Sequence, residues 1–355
     1  MTRTRLQPGA QRGFTIVEFM VALLLGTILI GGAISIYLAS SRSSQETERS
    51  IELLDSGRFA MQVLNNTLRH AGFFAGVDGA SIVEDPALGP VSGGTDCTTP
   101  ARARAYDLRT YLLAVVASAS GNAFGCVDDA MPGTDVLLVK HLAPDPIFDA
   151  DPNDPTPTLN GLLDFPDEPD DALTYVVTTS ESGILVDGAD TPPPVGVGET
   201  YARGIAWPYS FQVFYVRAED GQPVALTRKI LRMVGGNMTI DQEDLITGAE
   251  DMRIRFRYDS DDDGAVDRAG YADNPGTGDT YALDDDVNNW NLVGAVEVFL
   301  LLRSGEDPEY VDDKTYILGD RSYTPAAGDR DRWRLLVTHY ITLRNPNLVI
   351  HGGGV

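Results

Sequence analysis

An unbroken apolar run near the amino terminus constrains this chain more than any other feature of its sequence. Residues 14–39 carry one charged side chain, that of Glu18. As an α-helix, this run would be about 39 Å long. Roughly 20 apolar residues are enough to cross the hydrocarbon core of a bilayer. The run therefore predicts a transmembrane helix.

The charged residues on either side of the run predict its orientation. Arg3, Arg5 and Arg12 precede it, whereas the whole chain has a formal charge of −25 and 52 acidic residues. Because basic residues tend to stay on the cytoplasmic side of a membrane, we expect residues 73–355 to be exported. An acidic surface repels the phosphates of nucleic acids, so nucleic acid is not an expected partner.

The leader before the run fits an ordinary secretory signal poorly. Such a signal has an apolar stretch of about 7–15 residues that ends at a small-residue cleavage site. A plain signal anchor is the alternative, but it leaves Glu18 unexplained. A carboxylate in the hydrocarbon costs about 2.5–3.5 kcal/mol even on a lenient insertion scale. We therefore expect a nearby cation to compensate Glu18.

Residues 13–18 read Gly-Phe-Thr-Ile-Val-Glu. This segment, with its basic leader and apolar helix, resembles the class III signal of type IV prepilins and pseudopilins. The resemblance implies cleavage by a membrane peptidase after Gly13, so that residues 1–13 are a leader peptide. It also implies methylation of the new amino terminus at Phe14. Glu18 would then pair with the terminal amine of a neighbouring subunit.

An amphipathic pattern continues the helix over residues 40–72. Apolar side chains at three- and four-residue steps predict one buried stripe, made of Ile51, Leu54, Met61, Leu64, Leu68 and Ala71. Arg58 interrupts the pattern, and Gly72 is placed to cap the carboxyl end. We expect one helix over residues 14–71, with its second half packed on a globular domain. A short coiled coil is the alternative.

Residues 73–355 contain β-type runs separated by loops rich in Pro, Gly and Asp. The predicted strands are residues 135–141, 173–179, 211–217, 224–234, 251–258, 293–303 and 333–343. Residues 144–171 and 191–198 are predicted to be irregular surface loops. The predicted fold class is α+β and pilin-like. A long amino-terminal helix, transmembrane and then amphipathic, packs on a largely antiparallel β-sheet domain.

Cys97 and Cys126 are the two cysteines of the chain. In an exported domain they are expected to form a disulfide. In the entropy model this disulfide would stabilise the fold by roughly 3–4 kcal/mol. If the domain remained in the cytosol, the two thiols would instead be reduced and buried.

An aspartate-rich loop after the predicted strand 251–258 is the candidate metal site. Its candidate ligands are Asp259, Asp261, Asp263, the Ala265 carbonyl and Asp267. They occupy loop positions one, three, five, seven and nine, the spacing by which a loop wraps oxygen atoms around calcium. Position twelve is Gly270 rather than a bidentate glutamate, so a remote acid from residues 284–286 would have to complete the shell. The alternative is a solvated acidic turn.

No other cofactor is predicted, and the chain is not expected to be an enzyme. The four histidines show no ligand spacing. The sequence contains neither the G-x-S-x-G motif of a serine nucleophile nor a glycine-rich phosphate loop followed by lysine.

Further stretches are similar to minor pilins of the PilW type. Residues 57–60 and 68–73 resemble the start of the PilW soluble domain. Residues 293–298, 301–304 and 343–345 are similar to strands of that domain, and the aspartate-rich loop is similar to loops of the same group. The resemblance implies a minor pilin that primes type IV pilus assembly or forms the pilus tip complex.

The same resemblance implies partners and a location. The expected partners are other minor pilins, the major pilin, prepilin peptidase, the inner-membrane assembly platform and a tip adhesin. The protein would sit in the inner membrane with a periplasmic domain and enter the extracellular pilus after assembly. A J-type pseudopilin of a type II secretion system shares this layout and is the alternative. A second alternative is a membrane-anchored binding module.

Overall fold

The chain forms two compact units, Met1–Glu52 and Leu53–Val355, and one long helix contributes residues to both. This helix, α1, runs over Ile16–His70. The computed structural model describes residues 15–92, 96–149, 159–165, 169–259, 266–272 and 290–345.

Fourteen strands follow α1 within the described residues. They are β1 (Ile82–Glu84), β2 (Leu112–Val116), β3 (Asp135–Leu142), β4 (Thr174–Thr178), β5 (Gly183–Asp187), β6 (Ile205–Arg217), β7 (Ala225–Val234), β8 (Asn237–Thr247), β9 (Ala249–Tyr258), β10 (Arg268–Tyr271), β11 (Val293–Glu306), β12 (Tyr316–Leu318), β13 (Arg321–Tyr323) and β14 (Arg332–Thr342). All seven predicted strands are present. The two predicted loops contain no helix or strand in their described residues.

The strands form two main sheets. The larger has eight strands in the order β1-β5-β4-β6-β3-β2, and β7 pairs with both β6 and β8. The smaller has the order β10-β9-β11-β14, while β12 and β13 form a hairpin. All pairings are antiparallel except that of β1 with β5. The predicted α+β class with a largely antiparallel domain is confirmed.

The part of α1 in the unit Met1–Glu52 exposes its apolar side chains. Ile16 is 80% exposed and Leu29 is 73% exposed. By length and composition the helix can cross a membrane. Because a large exposed apolar surface marks contact with lipid or protein, this part of α1 is suited to a membrane or to the interior of an assembly.

The part of α1 in the unit Leu53–Val355 has a buried face. The predicted stripe is confirmed in its later part, where the buried members are Met61, Leu64, Leu68 and Ala71. It is wrong in its earlier part, because Ile51 and Leu54 are 53% and 44% exposed. Leu53, Gly57 and Ala60 are buried there instead. The buried face is therefore out of phase with the prediction before residue 60.

Gly57 explains the change of phase. A Cβ atom at this position would lie 2.8 Å from Val337 Cγ2 and 3.3 Å from Leu302 Cδ1. Glycine thus lets the helix approach β11 and β14 closely, although it contributes no hydrophobic signal to a sequence pattern. Arg58, which interrupted the predicted stripe, lies on the exposed side.

One main hydrophobic core joins the second half of α1 to both sheets. Its fully buried members include Leu64 of α1, Leu137 of β3, Phe214 of β6, Phe256 of β9 and Leu300 of β11. The sheets of this unit therefore share one core. That core fixes the position of the helix end and of the last strand.

The predicted disulfide is present. Cys97, which is fully buried, is bonded to Cys126. The Cys126 carbonyl accepts a hydrogen bond from Lys229 Nζ at 2.7 Å. The disulfide ties the segment before β2 to the loop between β2 and β3.

Candidate functional site

Glu18 lies in the first turn of α1 and forms a reciprocal cap with Thr15. The Thr15 N–H and Oγ1–H groups donate to Glu18 Oε2 at 3.0 and 2.9 Å. In return, the Glu18 N–H donates to Thr15 Oγ1 at 3.2 Å. This arrangement is a capping box, which satisfies two amides that a helix start would leave unpaired. Glu18 Oε1 has no partner among the described residues.

The other two predicted processing residues, Gly13 and Phe14, lie outside the described residues. Cleavage after Gly13 and methylation of Phe14 therefore remain predictions. The resemblance also did not indicate the capping box. The signal for it was in the sequence, since a threonine followed three residues later by a glutamate is the usual pattern.

The aspartate-rich loop is described only at its two ends. Asp259, at the end of β9, is fully buried, and its N–H donates to the Leu292 carbonyl at 3.2 Å. Asp267 is exposed, and its N–H donates to the Tyr258 carbonyl at 3.3 Å. The remaining candidate ligands lie outside the described residues: Asp261, Asp263, Ala265 and the acids of residues 284–286. Calcium binding stays a prediction.

The carboxyl end of α1 is capped from two directions. Asn345 Nδ2 donates to the carbonyls of His70 and Ala71 at 3.4 and 3.2 Å. The Gly72 N–H donates to the Lys140 carbonyl at 3.1 Å, and Gly72 has φ +69°, as predicted for a helix-ending glycine. The end of the described chain and strand β3 therefore hold the helix terminus in place.

Lys140 of β3 is fully buried and binds three backbone carbonyls. Its Nζ donates to the carbonyls of Arg102 and Arg104, each at 2.7 Å, and to that of Asp107. Burial lowers the pKa of Lys140 to about 7, although the nearby Asp107 carboxylate favours the charged form. The side chain fastens the segment between Cys97 and β2 to the sheet. A lysine within the apolar run of β3 was a sequence signal for a buried amine, but it did not indicate which groups the amine binds.

A buried ion pair connects the two main sheets. Arg253 of β9 donates to Asp135 of β3 at 2.7 Å and to both carboxylate oxygens of Asp320 at 2.8 Å. The Ile254 N–H donates to the second oxygen of Asp135 at 2.7 Å. Burial raises the pKa of Asp135 to about 6, against the opposing effects of Arg253 and Arg321.

A second cluster of charges surrounds Arg334 of β14. Its guanidinium donates to Glu250 Oε2 at 2.6 Å, to Asp312 Oδ2 at 3.3 Å and to Asp329. Tyr323 Oη donates to Glu250 Oε1 at 2.7 Å. Like the Asp135 pair, this cluster is closed by its own partners. Such an arrangement stabilises the positions of β9 and β14 relative to the loops that carry Asp312 and Asp329.

Two parts of the chain match known protein families. Residues 9–34 match the prokaryotic N-terminal methylation motif, which covers the predicted cleavage site and the first turns of α1. Residues 213–345 match the type IV pilus-assembly protein W family, PilW, from within β6 to Asn345. Comparisons with curated proteins and with solved structures gave no match.

The methylation motif, the long apolar helix and the antiparallel domain define a type IV pilin-like protein. Within that class, residues 213–345 match the PilW family, and the predicted resemblance to PilW-type pilins is confirmed over that part of the chain. These pilin-family matches indicate a structural pilus component that associates with the membrane. The Asn345 cap and the Arg334 cluster both fall within the PilW match.

Proposed function

We propose that this protein is a minor pilin that assembles with other minor pilins to prime type IV pilus assembly or to form the pilus tip complex. The observation that carries the proposal is the presence of the methylation motif and the PilW domain in one chain. Its proposed work is packing, which is supported by the two pilin-family matches.

Processing comes before assembly. Prepilin peptidase cleaves after Gly13 and the amine of Phe14 is methylated. Residues 14–39 stay in the inner membrane while residues 73–355 face the periplasm. The chain then meets the assembly platform, the other minor pilins, the major pilin and a tip adhesin, and enters the extracellular pilus.

Glu18 directs the stacking of subunits. One of its carboxylate oxygens is held by Thr15. The other oxygen accepts a hydrogen bond from the protonated amine of a neighbouring Phe14, so the helix cap and the contact between subunits coexist on one carboxylate. Within a low-dielectric assembly this pairing offsets the cost of burying the charge.

Carboxyl-reactive cross-linking of the full-length protein in its native cells, followed by mass spectrometry, tests the proposal. We expect cross-links to other proteins that carry an N-terminal methylation motif and belong to the pilus. Recovery of type II secretion components alone would instead assign the chain as a J-type pseudopilin.

The mass of the intact protein tests processing in the same cells. The native chain should begin at methylated Phe14, and Gly13→Leu should leave the leader attached. Gly9→Leu, a matched change within the leader, should be processed normally. Normal processing of Gly13→Leu would contradict cleavage after Gly13.

A further inference from the structure

Strand β14 forms an open edge of the smaller sheet. It is eleven residues long and pairs with β11 on one side. The register is continuous from Arg334 to Thr342, opposite Arg303 to Ala295. On its other side, the described residues contain no strand paired with it.

The hydrogen-bond phase identifies the groups that point outward. The Leu343 N–H donates to the Gly294 carbonyl at 2.9 Å, which makes these two residues a bonded pair. Bonded and non-bonded pairs alternate along an antiparallel ladder. The N–H and C=O groups of four residues therefore point away from β11: Leu336, Thr338, Tyr340 and Thr342. No backbone partner for these groups occurs in the described part of the chain. We call residues 336–342 the β14 edge.

The β14 edge lacks the features that usually prevent strand pairing. Natural edges are kept short, charged, bulged or interrupted by proline. β1 and β10 are short, with three and four residues. β8 is as long as β14 but carries Asp241, Glu243 and Asp244. The β14 edge contains no proline, lysine or acidic residue, and its residues Thr338, Tyr340 and Thr342 are exposed.

A cationic pocket lies beside the end of β14. Arg69, His70 and Arg344 line a cavity of about 350 Å³, together with Asn66, Phe73, Pro144 and Asn345. None of the lining residues is acidic, although the chain has 52 acidic residues and a charge of −25. Neither Arg69 nor Arg344 has an ion-pair partner among the described residues. The guanidinium groups of Arg69 and Arg344 are therefore available to an external carboxylate. The Asn345 amide, by contrast, already donates to the last carbonyls of α1.

We propose that the β14 edge and the cationic pocket together bind an extended acidic segment of a sister pilin subunit by β-strand addition. The backbone of the segment pairs with residues 336–342, and its acidic side chains reach Arg69 and Arg344. Backbone pairing supplies affinity in this mode, and side chains supply specificity. This inference rests on the proposed function, because it takes the partner from the same assembly.

A second copy of this chain fits the surface less well. Antiparallel pairing of two β14 edges about Thr338 would place Arg344 of each copy opposite Arg332 of the other. Arg332 is already paired with Glu306 and Asp329, and residues 336–342 contain no acidic side chain, so a second β14 edge brings no carboxylate to Arg344. An acidic segment from a different subunit brings the complementary charge instead.

The test uses the full-length chain, co-expressed with the other proteins of its own cells that carry an N-terminal methylation motif and purified in detergent. Thr338→Pro removes an outward N–H and leaves the bonds to β11 intact, because proline is tolerated at such edge positions. We expect it to lower recovery of the sister subunit by about ten-fold or more. Thr338→Ala, which keeps the N–H, should recover within about two-fold of the native chain.

Arg344→Glu tests the charge. It should also lower recovery by about ten-fold, whereas Arg203→Glu, on an exposed loop, should not. Tyr340→Lys adds an edge charge without changing the backbone. If Thr338→Pro melts at a lower temperature than the native chain, its loss of recovery could come from unfolding. Recovery of the sister subunit by Tyr340→Lys then tests the β14 edge instead.

Photo-cross-linking from a benzoylphenylalanine in place of Tyr340 identifies the occupant. The expected product joins this position to an acidic peptide of a sister pilin. A product with a second copy, or with residues 346–355 of the same chain, would overturn the proposal. The proposal would also be overturned if Thr338→Pro and Tyr340→Lys both recovered as much sister subunit as the native chain. The same holds if Thr338→Ala lost as much recovery as Thr338→Pro. If the native chain itself recovers no sister subunit, the proposed function is wrong and this inference with it.

Discussion

Single side chains carry most of the chemistry of this molecule, and they do so as hydrogen-bond donors and acceptors. Glu18 closes the first turn of α1 with Thr15. Asn345 closes its last turn, and Lys140 holds three carbonyls of a neighbouring segment. The resemblance identified Glu18, but it did not indicate the partner that orients the carboxylate. Lys140 and Asn345 could not be assigned from sequence, because their partners are backbone groups far away along the chain.

Substitutions of Glu18 separate the helix cap from the contact between subunits. Glu18→Gln keeps an oxygen that accepts from Thr15 but loses the charge, whereas Glu18→Ala loses both. If the charge pairs with a neighbouring amine, both variants should assemble with sister pilins about ten-fold less than the native chain. Only Glu18→Ala should also weaken the helix start, by about 1 kcal/mol. Co-purification measures assembly, and native-like assembly of Glu18→Gln would show that the cap alone matters.

Lys140→Met should destabilise the unit Leu53–Val355 by about 3 kcal/mol, because three buried carbonyls lose their donor. The effect should depend on pH. The folded-state pKa of Lys140 lies near 7, below its usual 10.5, so the unfolded chain binds more protons between these values. Stability from this group is therefore gained as pH rises above 7 and lost as pH falls towards it.

Chemical unfolding of the full chain in detergent between pH 7 and pH 9 measures this dependence. The native chain should gain stability with pH relative to Lys140→Met, by up to about 1 kcal/mol per pH unit. Lys314→Met, at an exposed lysine, should follow the native curve. Parallel curves for the native chain and Lys140→Met would contradict the assignment.

At the scale of elements, sequence patterns identified strands that alternate or that carry long apolar runs. The sequence of β9 alternates apolar or aromatic residues with arginines from Met252 to Tyr258, and β11 is apolar over most of its length. β8 was missed because as an edge strand it is polar, and β1, β10, β12 and β13 because each has only three or four residues. β2 and β5 were missed although they are buried, because each has only five residues. β6 begins six residues before its predicted start, and Pro208 lies within the strand, opposite Tyr175 of β4.

The same limit applies to α1. Hydrophobic periodicity located its buried face from Met61 onward but not earlier, where Leu53, Gly57 and Ala60 are buried. A periodicity argument weighs apolar bulk, whereas close approach of a helix to a sheet requires small side chains. The phase of the face near Gly57 therefore depended on the position of Val337, which is distant in sequence.

Gly57→Leu tests this packing. The added side chain would meet Val337 at less than normal contact distance and should destabilise the domain by about 2 kcal/mol. Arg58→Leu is the matched control, because the sequence pattern placed position 58 on the buried stripe and the structure exposes it. Thermal melting of the full chain in detergent should separate the two variants. A larger loss with Arg58→Leu would support the predicted stripe instead.

At the scale of the whole molecule, an acidic chain is held together by arginine. It has 24 arginines and three lysines, against 52 acidic residues. The Arg253 and Arg334 clusters bind carboxylates from both strands and loops, which suits the planar, multi-donor guanidinium group. The net acidity was evident from composition. Which arginines are buried was not, because it depends on the pairing of strands.

The net acidity of the molecule also bears on calcium, because a bound calcium ion would offset the repulsion among the carboxylates of the aspartate-rich loop. Saturating calcium should stabilise the full chain, by about 2.7 kcal/mol when the free ion exceeds its Kd a hundred-fold. Asp261→Ala combined with Asp263→Ala should abolish the effect. As a control, the double variant Glu181→Ala with Asp220→Ala, which removes two exposed acids elsewhere, should still be stabilised by calcium. Melting curves that do not change between millimolar calcium and chelator would refute the calcium site.

The enclosure of Lys140 has a practical consequence for labelling. Lys140 is inaccessible, and Lys229 donates to the Cys126 carbonyl, which leaves Lys314 as the exposed lysine ε-amine. Among the three lysines, a succinimidyl dye should therefore react mainly at Lys314, between Asp312 and β12. The position of one fluorophore along a pilus could then be read by microscopy without introducing a cysteine beside the native disulfide.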